Sequence, residues 1–174
     1  MTFWMSASKY IIKICLLGDG AVGKTSLVRR YVFDVFDDKY LMSFGTKVSK
    51  KSIKIGESSV DLMIWDILGQ KTYEALHAAY YRGAVGALAV CDFTRPETMK
   101  SLKSWLGEFR SVVGNMPVLI LGNKSDLDRL YTPQELFEFG ASIGCEVMET
   151  SAKTGLNVEL AFHGIGRKAM EAAK

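Results

Sequence analysis

The sequence has few cysteines and prolines, little net charge and no long apolar run. Cys15, Cys91 and Cys145 lie too far apart for a disulfide framework or a metal site, so we expect buried free thiols in a reducing compartment. The net charge of +3 is too small and too scattered to indicate a nucleic-acid-binding protein. No apolar run approaches the ~20 residues that span a bilayer, and the first residues lack a signal-peptide pattern. We therefore expect a cytoplasmic protein without a transmembrane segment.

The composition is that of a folded globular protein. Apolar residues make up 48% of the 174 residues and charged residues 24%, which predicts one domain over residues 1–174 with a flexible N-terminus at residues 1–8. The chain has no terminal cysteine for prenylation, so membrane association would require a partner or a tail absent from this chain. The solvated side of a strand is predicted at Lys47, Lys50, Lys51 and Lys54.

Strand-like and helix-like segments alternate along the chain. Apolar runs predict strands at about residues 10–17, 48–55, 59–65, 87–93, 118–121 and 147–149. Periodicity and cap signals predict helices over 24–35, over 96–113, from 132 and from a cap at Asn157. One hairpin within this alternation predicts a three-layer α/β fold, with a mostly parallel six-stranded sheet, one antiparallel edge strand and about five helices. Ligands of such folds bind beyond the carboxyl ends of the strands.

Residues 18–25 read G-x-x-x-x-G-K-[ST], between a strand-like run and a helix-like one. In this context the motif forms a loop whose backbone N–H groups converge on phosphate oxygens, at the positive end of a helix. Lys24 would reach the outer phosphates, and Thr25 would place its hydroxyl on Mg²⁺. An accidental glycine-rich turn is the alternative. We predict a nucleoside-triphosphate site at Asp19, Gly20, Ala21, Val22, Gly23, Lys24, Thr25 and Ser26.

A second motif follows the third strand, at the same predicted edge of the sheet. Asp66 lies about 40 residues after the phosphate loop, where it suits a second Mg²⁺ ligand. Gly69 can offer its N–H to a γ-phosphate oxygen, and Gln70 can orient a water molecule for in-line attack. The candidate catalytic residues are therefore Gln70, Lys24 and Gly69.

The base is predicted by the N-K-x-D motif at residues 123–126. The Asp126 carboxylate can accept both the N1–H and the exocyclic amine of guanine, a pair of donors that adenine does not offer. Such charge-assisted bonds contribute about 1.5–3 kcal/mol each, and sites built on them reject analogues by about 10⁴. Asn123 would steady the loop, the Lys124 stem would lie along the ring, and the Ala152 N–H would meet the guanine carbonyl. The predicted base-binding residues are Asn123, Lys124, Asp126, Ser151, Ala152 and Lys153.

In the order and spacing of these motifs the chain resembles the Ras superfamily of small GTPases, over residues 9–170. Trp65 before Asp66, and the string Y-Y-R-G-A at residues 80–84, make it most similar to the Rab branch. The resemblance implies the P-loop NTPase fold of small GTPases. It also implies a molecular switch, active with GTP and inactive with GDP, in which γ-phosphate and Mg²⁺ order two loops.

The first of these switch loops falls at residues 36–48 by the resemblance. Phe36 would then pack edge-on against guanine, and Tyr40 would close over the γ-phosphate. Ser43 stands where the family has threonine, so it keeps the hydroxyl for Mg²⁺ but loses a methyl group. We favour Ser43 over Thr46 as the remaining metal ligand and expect a looser active state.

A second departure from the family concerns hydrolysis. Ile67, Leu68 and Lys71 stand where the family usually has Thr, Ala and Glu. Leu68 is either covered by partners, which we favour, or it displaces Gln70. No arginine lies between residues 36 and 48, so we expect slow intrinsic GTP hydrolysis, accelerated up to about 10⁵-fold by a partner. A GTP-binding scaffold with little or no hydrolysis is the alternative, and a kinase is disfavoured because N-K-x-D specifies guanine.

Apolar residues in and between the switch loops predict a surface for effectors, exchange factors and GTPase-activating proteins. These residues are Leu41, Met42, Phe44, Trp65, Tyr73 and Leu76. Val48 is smaller than the phenylalanine that Rab partners commonly contact. We therefore expect the effector proteins of other Rab proteins to bind this chain poorly. His77 and His163 lie away from the motifs and are predicted to be structural.

Overall fold

The computed structural model describes residues 8–37, 46–69 and 74–174, which form six strands and five helices. The strands are β1 (Lys9–Leu17), β2 (Lys47–Ile55), β3 (Ser58–Asp66), β4 (Ala87–Asp92), β5 (Val118–Asn123) and β6 (Glu146–Glu149). The helices are α1 (Lys24–Phe33), α2 (Glu74–Tyr81), α3 (Pro96–Val113), α4 (Pro133–Ser142) and α5 (Val158–Ala172).

The six strands form one sheet in the order β2-β3-β1-β4-β5-β6. β2 and β3 pair antiparallel, and every other neighbouring pair is parallel. The β2–β3 turn contains Gly56, whose φ of 60° is one that glycine adopts without strain. The predicted α/β fold, with a mostly parallel sheet and one antiparallel edge strand, is confirmed.

Apolar layers cover both faces of the sheet. Successive residues of β1 point to opposite faces, so Leu16 packs in a cluster with Phe162 of α5, and Leu17 packs in a cluster with Phe109 of α3. β4 and β5 are buried along their whole length, as central parallel strands are. With helices on both faces, the carboxyl edge of the sheet is where the connecting loops come together.

Two predicted helix features were wrong. α1 ends at Phe33 and not at residue 35, because Asp34 adopts the left-handed conformation with a φ of 54°. Asn157 directly precedes α5, but its side chain does not cap the helix. Its Nδ2 donates instead to the carbonyl of Glu149 at 3.0 Å, which joins the start of α5 to the end of β6.

The four lysines of β2 do not share one side of the strand, contrary to the prediction. Lys51 points to the face that α1 covers, where its Nζ donates to the carbonyl of Tyr31 at 2.5 Å and lies 4.0 Å from the centre of the Tyr31 ring. Lys50 points to the opposite face and pairs with Asp61 at 2.9 Å. Adjacent residues of a strand alternate between its faces, so two neighbouring lysines cannot both lie on one solvated side.

The three cysteines are free and buried, as predicted. Burial raises the pKa of Cys15 and of Cys91 to about 12, so neither thiol ionises at neutral pH. In the part of the chain that the structure describes, no helix is long and apolar enough to cross a membrane.

Asp61 is a buried carboxylate of β3 that three polar side chains hold. The Oγ of Ser52 donates to it at 2.5 Å, and the ammonium groups of Lys50 and Lys9 lie 2.9 Å and 3.5 Å from it. The Ser52 hydrogen bond, followed by the bond and charge of Lys50, lowers the pKa of Asp61 to about 2.

Gly18 is expected to tolerate no side chain, whereas Gly20 is expected to tolerate a small one. Gly18 has a φ of +132°, and a Cβ there would lie 2.2 Å from the carbonyl oxygen of Val90 in β4. At Gly20, the nearest atom of the described residues to a Cβ would be the Gly69 carbonyl oxygen at 4.0 Å. We expect Gly18→Ala to lower the free energy of unfolding by at least about 2 kcal/mol and Gly20→Ala to change it by less than about 0.5 kcal/mol. Equal urea midpoints for the two variants would contradict this assignment.

Protonation of Asp61 is expected to destabilise the fold in acid. An unfolded aspartate has a pKa of about 3.9, so the stabilisation is complete above that pH and is lost as the pH falls toward about 2. Asp61→Asn should lower stability at neutral pH and flatten the decline of the urea midpoint between about pH 4 and about pH 2. Glu57→Gln, at an exposed carboxyl of the β2–β3 turn, is the matched control. An acid decline as steep in Asp61→Asn as in the unmodified chain would refute the role of this carboxylate.

Candidate nucleotide-binding site

The predicted motifs meet at the carboxyl edge of the sheet. The loop at residues 18–23 follows β1, the D-x-x-G segment follows β3, and the N-K-x-D motif begins at the end of β5. These loops surround the point where chain connections change direction in the strand order, next to β1 and β4. Open α/β sheets bind ligands at such a switch point.

Hydrogen bonds from side-chain N–H groups fix the backbone of the loop at residues 18–23. Five successive carbonyl oxygens accept such a bond: Gly18 (2.7 Å) and Asp19 (2.8 Å) from Lys24, Gly20 (3.0 Å) from Arg95, Ala21 (2.8 Å) from Lys124 and Val22 (2.9 Å) from Asn123. The carbonyl and N–H of one peptide point in opposite directions, so these bonds also fix the directions of the N–H groups. The Gly20 N–H donates to the Gly69 carbonyl at 3.1 Å. The other N–H groups of the loop can form a concave, anion-binding nest.

Two glycines allow the close packing around this loop. Gly23 has a φ of +103°, and a Cβ there would lie 2.2 Å from the Nδ2 of Asn123. A Cβ on Gly69 would lie 2.4 Å from the backbone nitrogen of Gly20, whose N–H donates to the Gly69 carbonyl at 3.1 Å. Both positions require glycine, and Gly69 brings the segment after β3 into contact with the loop.

Lys24 is a buried cation at the base of the loop. Its side chain is 6% exposed, and desolvation lowers its pKa to about 8, although the carboxylates of Asp66 and Asp19 oppose that shift. The ammonium group is therefore mainly protonated at neutral pH. A bound phosphate would offset the cost of burying this charge, because an opposite charge nearby favours the ionised form.

Thr25 and Asp66 form a pair of oxygen donors beside Lys24. The Thr25 hydroxyl donates to the Asp66 carboxylate at 2.5 Å. Burial raises the pKa of Asp66, while the Thr25 bond and the Lys24 charge oppose that shift. A hydroxyl and a carboxylate are oxygen ligands that can coordinate Mg²⁺ together with water and phosphate oxygens. Within the described ranges, no three His, Cys, Asp or Glu side chains are grouped so that they could hold a metal ion. The Thr25–Asp66 pair fits a Mg²⁺ ion that shares its coordination with phosphate.

Asn123 joins the phosphate loop to the loop after β6. Its side chain is 1% exposed, and its Nδ2 donates to the carbonyl of Val22. Its Oδ1 accepts from the Thr150 hydroxyl at 3.2 Å and from the Ala152 N–H at 3.3 Å. The loops that would contact the phosphates and the base therefore form one hydrogen-bonded unit.

Asp126 is an exposed carboxylate that a neighbouring loop orients. The Ser151 hydroxyl donates to its Oδ1 at 2.6 Å, and the N–H of Thr154 donates to the same hydroxyl at 3.0 Å. A carboxylate fixed in this way can accept two adjacent N–H donors from a ligand. Beside it, the Nζ of Lys124 lies 2.7 Å from the Asp92 carboxylate, so the lysine stem extends from β5 toward the phosphate loop.

Several predicted residues lie outside the described residues. They are Tyr40, Ser43 and Gln70 of the site, Leu41, Met42, Phe44 and Tyr73 of the partner surface, Lys71, and residues 1–7 of the N-terminus. Phe36 is described, and it packs half-buried against the apolar cluster of α1 and α5. Thr46 has a buried Oγ1 without a hydrogen-bond partner among the described residues. Leu68 is half-buried beside Ile67, which is 1% exposed.

The residues in contact with the site that were not predicted include Arg95, Trp105 and Arg30. Besides the Arg95 bond to the phosphate loop, the Nε1 of Trp105 donates to the carboxylate of Asp19 at 2.8 Å. The Nε of Arg30 donates to the carbonyl of Ala152 at 2.8 Å. The one sequence signal for Arg95 is its position soon after β4, a strand that ends at the same edge. The other two carry no local signal, because their contacts depend on how the helices pack.

Comparison with known proteins identifies the family. The model of the Ras family matches residues 13–171. Ras-related protein RABA1c of Arabidopsis thaliana is 38% identical, over 94% of this chain and 81% of that protein. Ras-related protein Rab-21 of Homo sapiens is 38% identical, over 95% of this chain and 75% of that protein. Ras-related protein RABA4a of Arabidopsis thaliana is 40% identical, over 88% of this chain and 69% of that protein.

The similarity agrees with the geometry of the site. It extends over nearly the whole chain, and each of these relatives is a Rab protein by name. Members of the family bind GTP and GDP with Mg²⁺ and hydrolyse GTP. This chain therefore belongs to the Ras family, and within it is a Rab-like small GTPase, a GTP hydrolase that acts as a GTP/GDP molecular switch.

Proposed function

We propose that the nucleotide phosphates bind in the loop at residues 18–23 and at the start of α1. The contacting residues would be Asp19, Gly20, Ala21, Val22, Gly23, Lys24, Thr25 and Ser26. The observation that carries this proposal is the row of five loop carbonyls that accept hydrogen bonds from side chains. These bonds fix the directions of the loop N–H groups, and those other than the Gly20 N–H can face an anion. The buried Lys24 charge adds to the attraction.

We propose that Asp126 selects guanine. Its carboxylate would accept the N1–H and the exocyclic amine, and the Ser151 hydroxyl supports it from behind. The Ala152 N–H would turn from Asn123 to the guanine carbonyl, a small change because its present bond is long at 3.3 Å. Lys124, Lys153 and Phe36 would complete the contacts around the base and ribose.

We propose Thr25, Asp66 and Ser43 as the residues that hold Mg²⁺, with Ser43 preferred over Thr46. The contact between Thr25 and Asp66 supports two members of this set. When bound, the ion neutralises charge on the β- and γ-phosphates and so assists phosphoryl transfer to water. Among the protein groups, Thr25 presents a neutral oxygen and Asp66 a charged one, a combination that binds Mg²⁺ while leaving positions for phosphate.

We propose that hydrolysis depends on Gln70, Lys24 and Gly69 and is slow without a partner. Gln70 would orient the attacking water, Lys24 would stabilise charge on the phosphates, and the Gly69 N–H would contact the γ-phosphate. The close packing of Gly69 on the phosphate loop supports its part in this scheme. Leu68, which is half-buried, precedes Gly69 in the sequence. We favour coverage of its side chain by a partner over displacement of Gln70.

We propose that partners bind across the two switch loops and β2–β3. The residues involved would be Leu41, Met42, Phe44, Trp65, Tyr73 and Leu76. Leu76 is 48% exposed on α2, and Trp65 is half-buried, with its ring 6.3 Å from that of Tyr80. Buried free thiols suit a reducing compartment, so we place the switch in the cytoplasm.

Removing the Asp126 carboxylate should abolish the preference for guanine. We expect Asp126→Ala to weaken GTP binding by at least about 100-fold, because two charge-assisted hydrogen bonds are lost, and to leave the weak binding of ATP unchanged. Isothermal titration calorimetry with nucleotide-free protein and excess Mg²⁺ measures both affinities. Asp128→Ala, at an exposed carboxylate two residues along, is the matched control. An unmodified chain that held ATP as tightly as GTP would show that the base assignment is wrong.

Substitution of Gln70 distinguishes a switch that hydrolyses GTP slowly from a scaffold that binds GTP with little or no hydrolysis. We expect Gln70→Leu to slow single-turnover phosphate release at least about ten-fold, equivalent to about 1.4 kcal/mol in the barrier, since the attacking water loses its hydrogen-bond partner. Gln134→Leu, at an exposed position of α4, should leave the rate unchanged. The same low rate in the unmodified chain and in Gln70→Leu would favour the scaffold.

A further inference from the structure

We infer that Arg95 and Trp105 are positioning residues that hold the phosphate-binding loop in its anion-binding shape. Arg95 directly precedes α3 and Trp105 lies within it, and neither belongs to a nucleotide-binding motif of the sequence. They bond successive loop residues, Gly20 and Asp19. The inference rests on the proposed phosphate site, and it adds a helix that the motifs do not include.

Hydrogen bonds hold both the backbone and the guanidinium group of Arg95. Its N–H donates to the carbonyl of Asp92 at 3.0 Å, and its own carbonyl accepts from the Thr98 hydroxyl at 2.7 Å. The guanidinium donates through Nε to Glu97 at 3.1 Å and through Nη1 to the carbonyl of Gly20 at 3.0 Å. The planar guanidinium can make both bonds at once, so its position relative to the loop is well defined.

Gly20 is a loop residue whose backbone such a bond restrains. It has no Cβ, so its backbone has more conformational freedom than that of its neighbours. Motif residues bond the carbonyls on either side, since Lys24 donates to Asp19 and Lys124 donates to Ala21. Within the described part of the chain, Arg95 supplies the side-chain donor at Gly20 and so completes the row. Its positive charge beside the loop also favours a bound anion.

Trp105 restrains the neighbouring residue from a rigid position. Its side chain is 4% exposed, and its ring lies 5.1 Å from that of the buried His77 in α2. The indole Nε1 donates to the carboxylate of Asp19 at 2.8 Å, a charge-assisted bond from a donor that the core holds in place. Asp19 is thus bonded through its side chain to α3 and through its carbonyl to Lys24.

A direct action of Arg95 on the reaction is the competing explanation. Arginines stabilise the charge that develops on phosphate during GTP hydrolysis. The two explanations predict different kinetics. A residue that shapes the loop changes the retention of every phosphate-bearing ligand, including GDP, whereas a residue that acts on the transition state changes hydrolysis alone.

The test measures dissociation of a fluorescent GDP analogue from the full 174-residue chain, with Mg²⁺ present and unlabelled GDP in excess. We expect Arg95→Ala and Trp105→Phe each to raise the dissociation rate about ten-fold, because each variant loses one charge-assisted hydrogen bond to the loop. Arg95→Lys should recover much of this loss, because an ammonium group can still donate to the Gly20 carbonyl. Hydrolysis of bound GTP in a single turnover should change less than dissociation does. Glu97→Ala removes the other guanidinium contact but keeps the loop bond, so its rate should stay within about two-fold of the unmodified chain.

An Arg95→Ala variant that releases GDP at the unmodified rate would overturn the inference. So would a fall in hydrolysis at unchanged GDP dissociation, because that result assigns Arg95 to the transition state. If Arg95→Ala does not fold, Arg95→Lys and Trp105→Phe decide the question by the same two rates. An unmodified chain that retains no GDP would instead refute the proposed nucleotide site itself.

Discussion

Hydrogen bonds from side chains to the backbone carbonyls of residues 18–22 join parts of the chain that are far apart in sequence. The donors come from the start of α1, the end of β5 and the residue before α3. The position of each of these elements in the fold is determined by how that element packs against the rest of the chain. The shape of the phosphate loop therefore depends on the correct assembly of the whole carboxyl edge, and not on the eight motif residues alone.

The site combines buried charges that depend on one another. Lys24 lies in an environment that disfavours its charge, and the same is true of Asp66. Each group offsets part of the other's desolvation, and Thr25 adds a hydrogen bond to the carboxylate. A phosphate beside the lysine and a divalent cation beside the carboxylate would satisfy both groups further. This electrostatic arrangement is consistent with the proposed binding of a nucleotide together with its metal ion.

Sequence reasoning succeeded where neighbouring residues decide the structure. Pro96 begins α3, and Thr132 and Glu135 form the predicted capping box at α4, because each signal acts within one helical turn. The nucleotide motifs could be located for a similar reason, since each is a short string at the end of a strand. The bond from Arg95 to Gly20 links residues 75 positions apart. It could not be predicted, because it requires the strand order and the placement of α3.

The two edges of the sheet differ from its covered interior. Within the described chain the sheet ends at β6, which has four residues, and at β2, which has nine and carries lysines along its length. A short strand offers few open backbone groups, and lysines on a long strand repel the same strand of another molecule. Both features oppose edge-to-edge aggregation. The lysines on both faces of β2 thus have a consequence unrelated to nucleotides, because their charge disfavours pairing of this open edge with a second molecule.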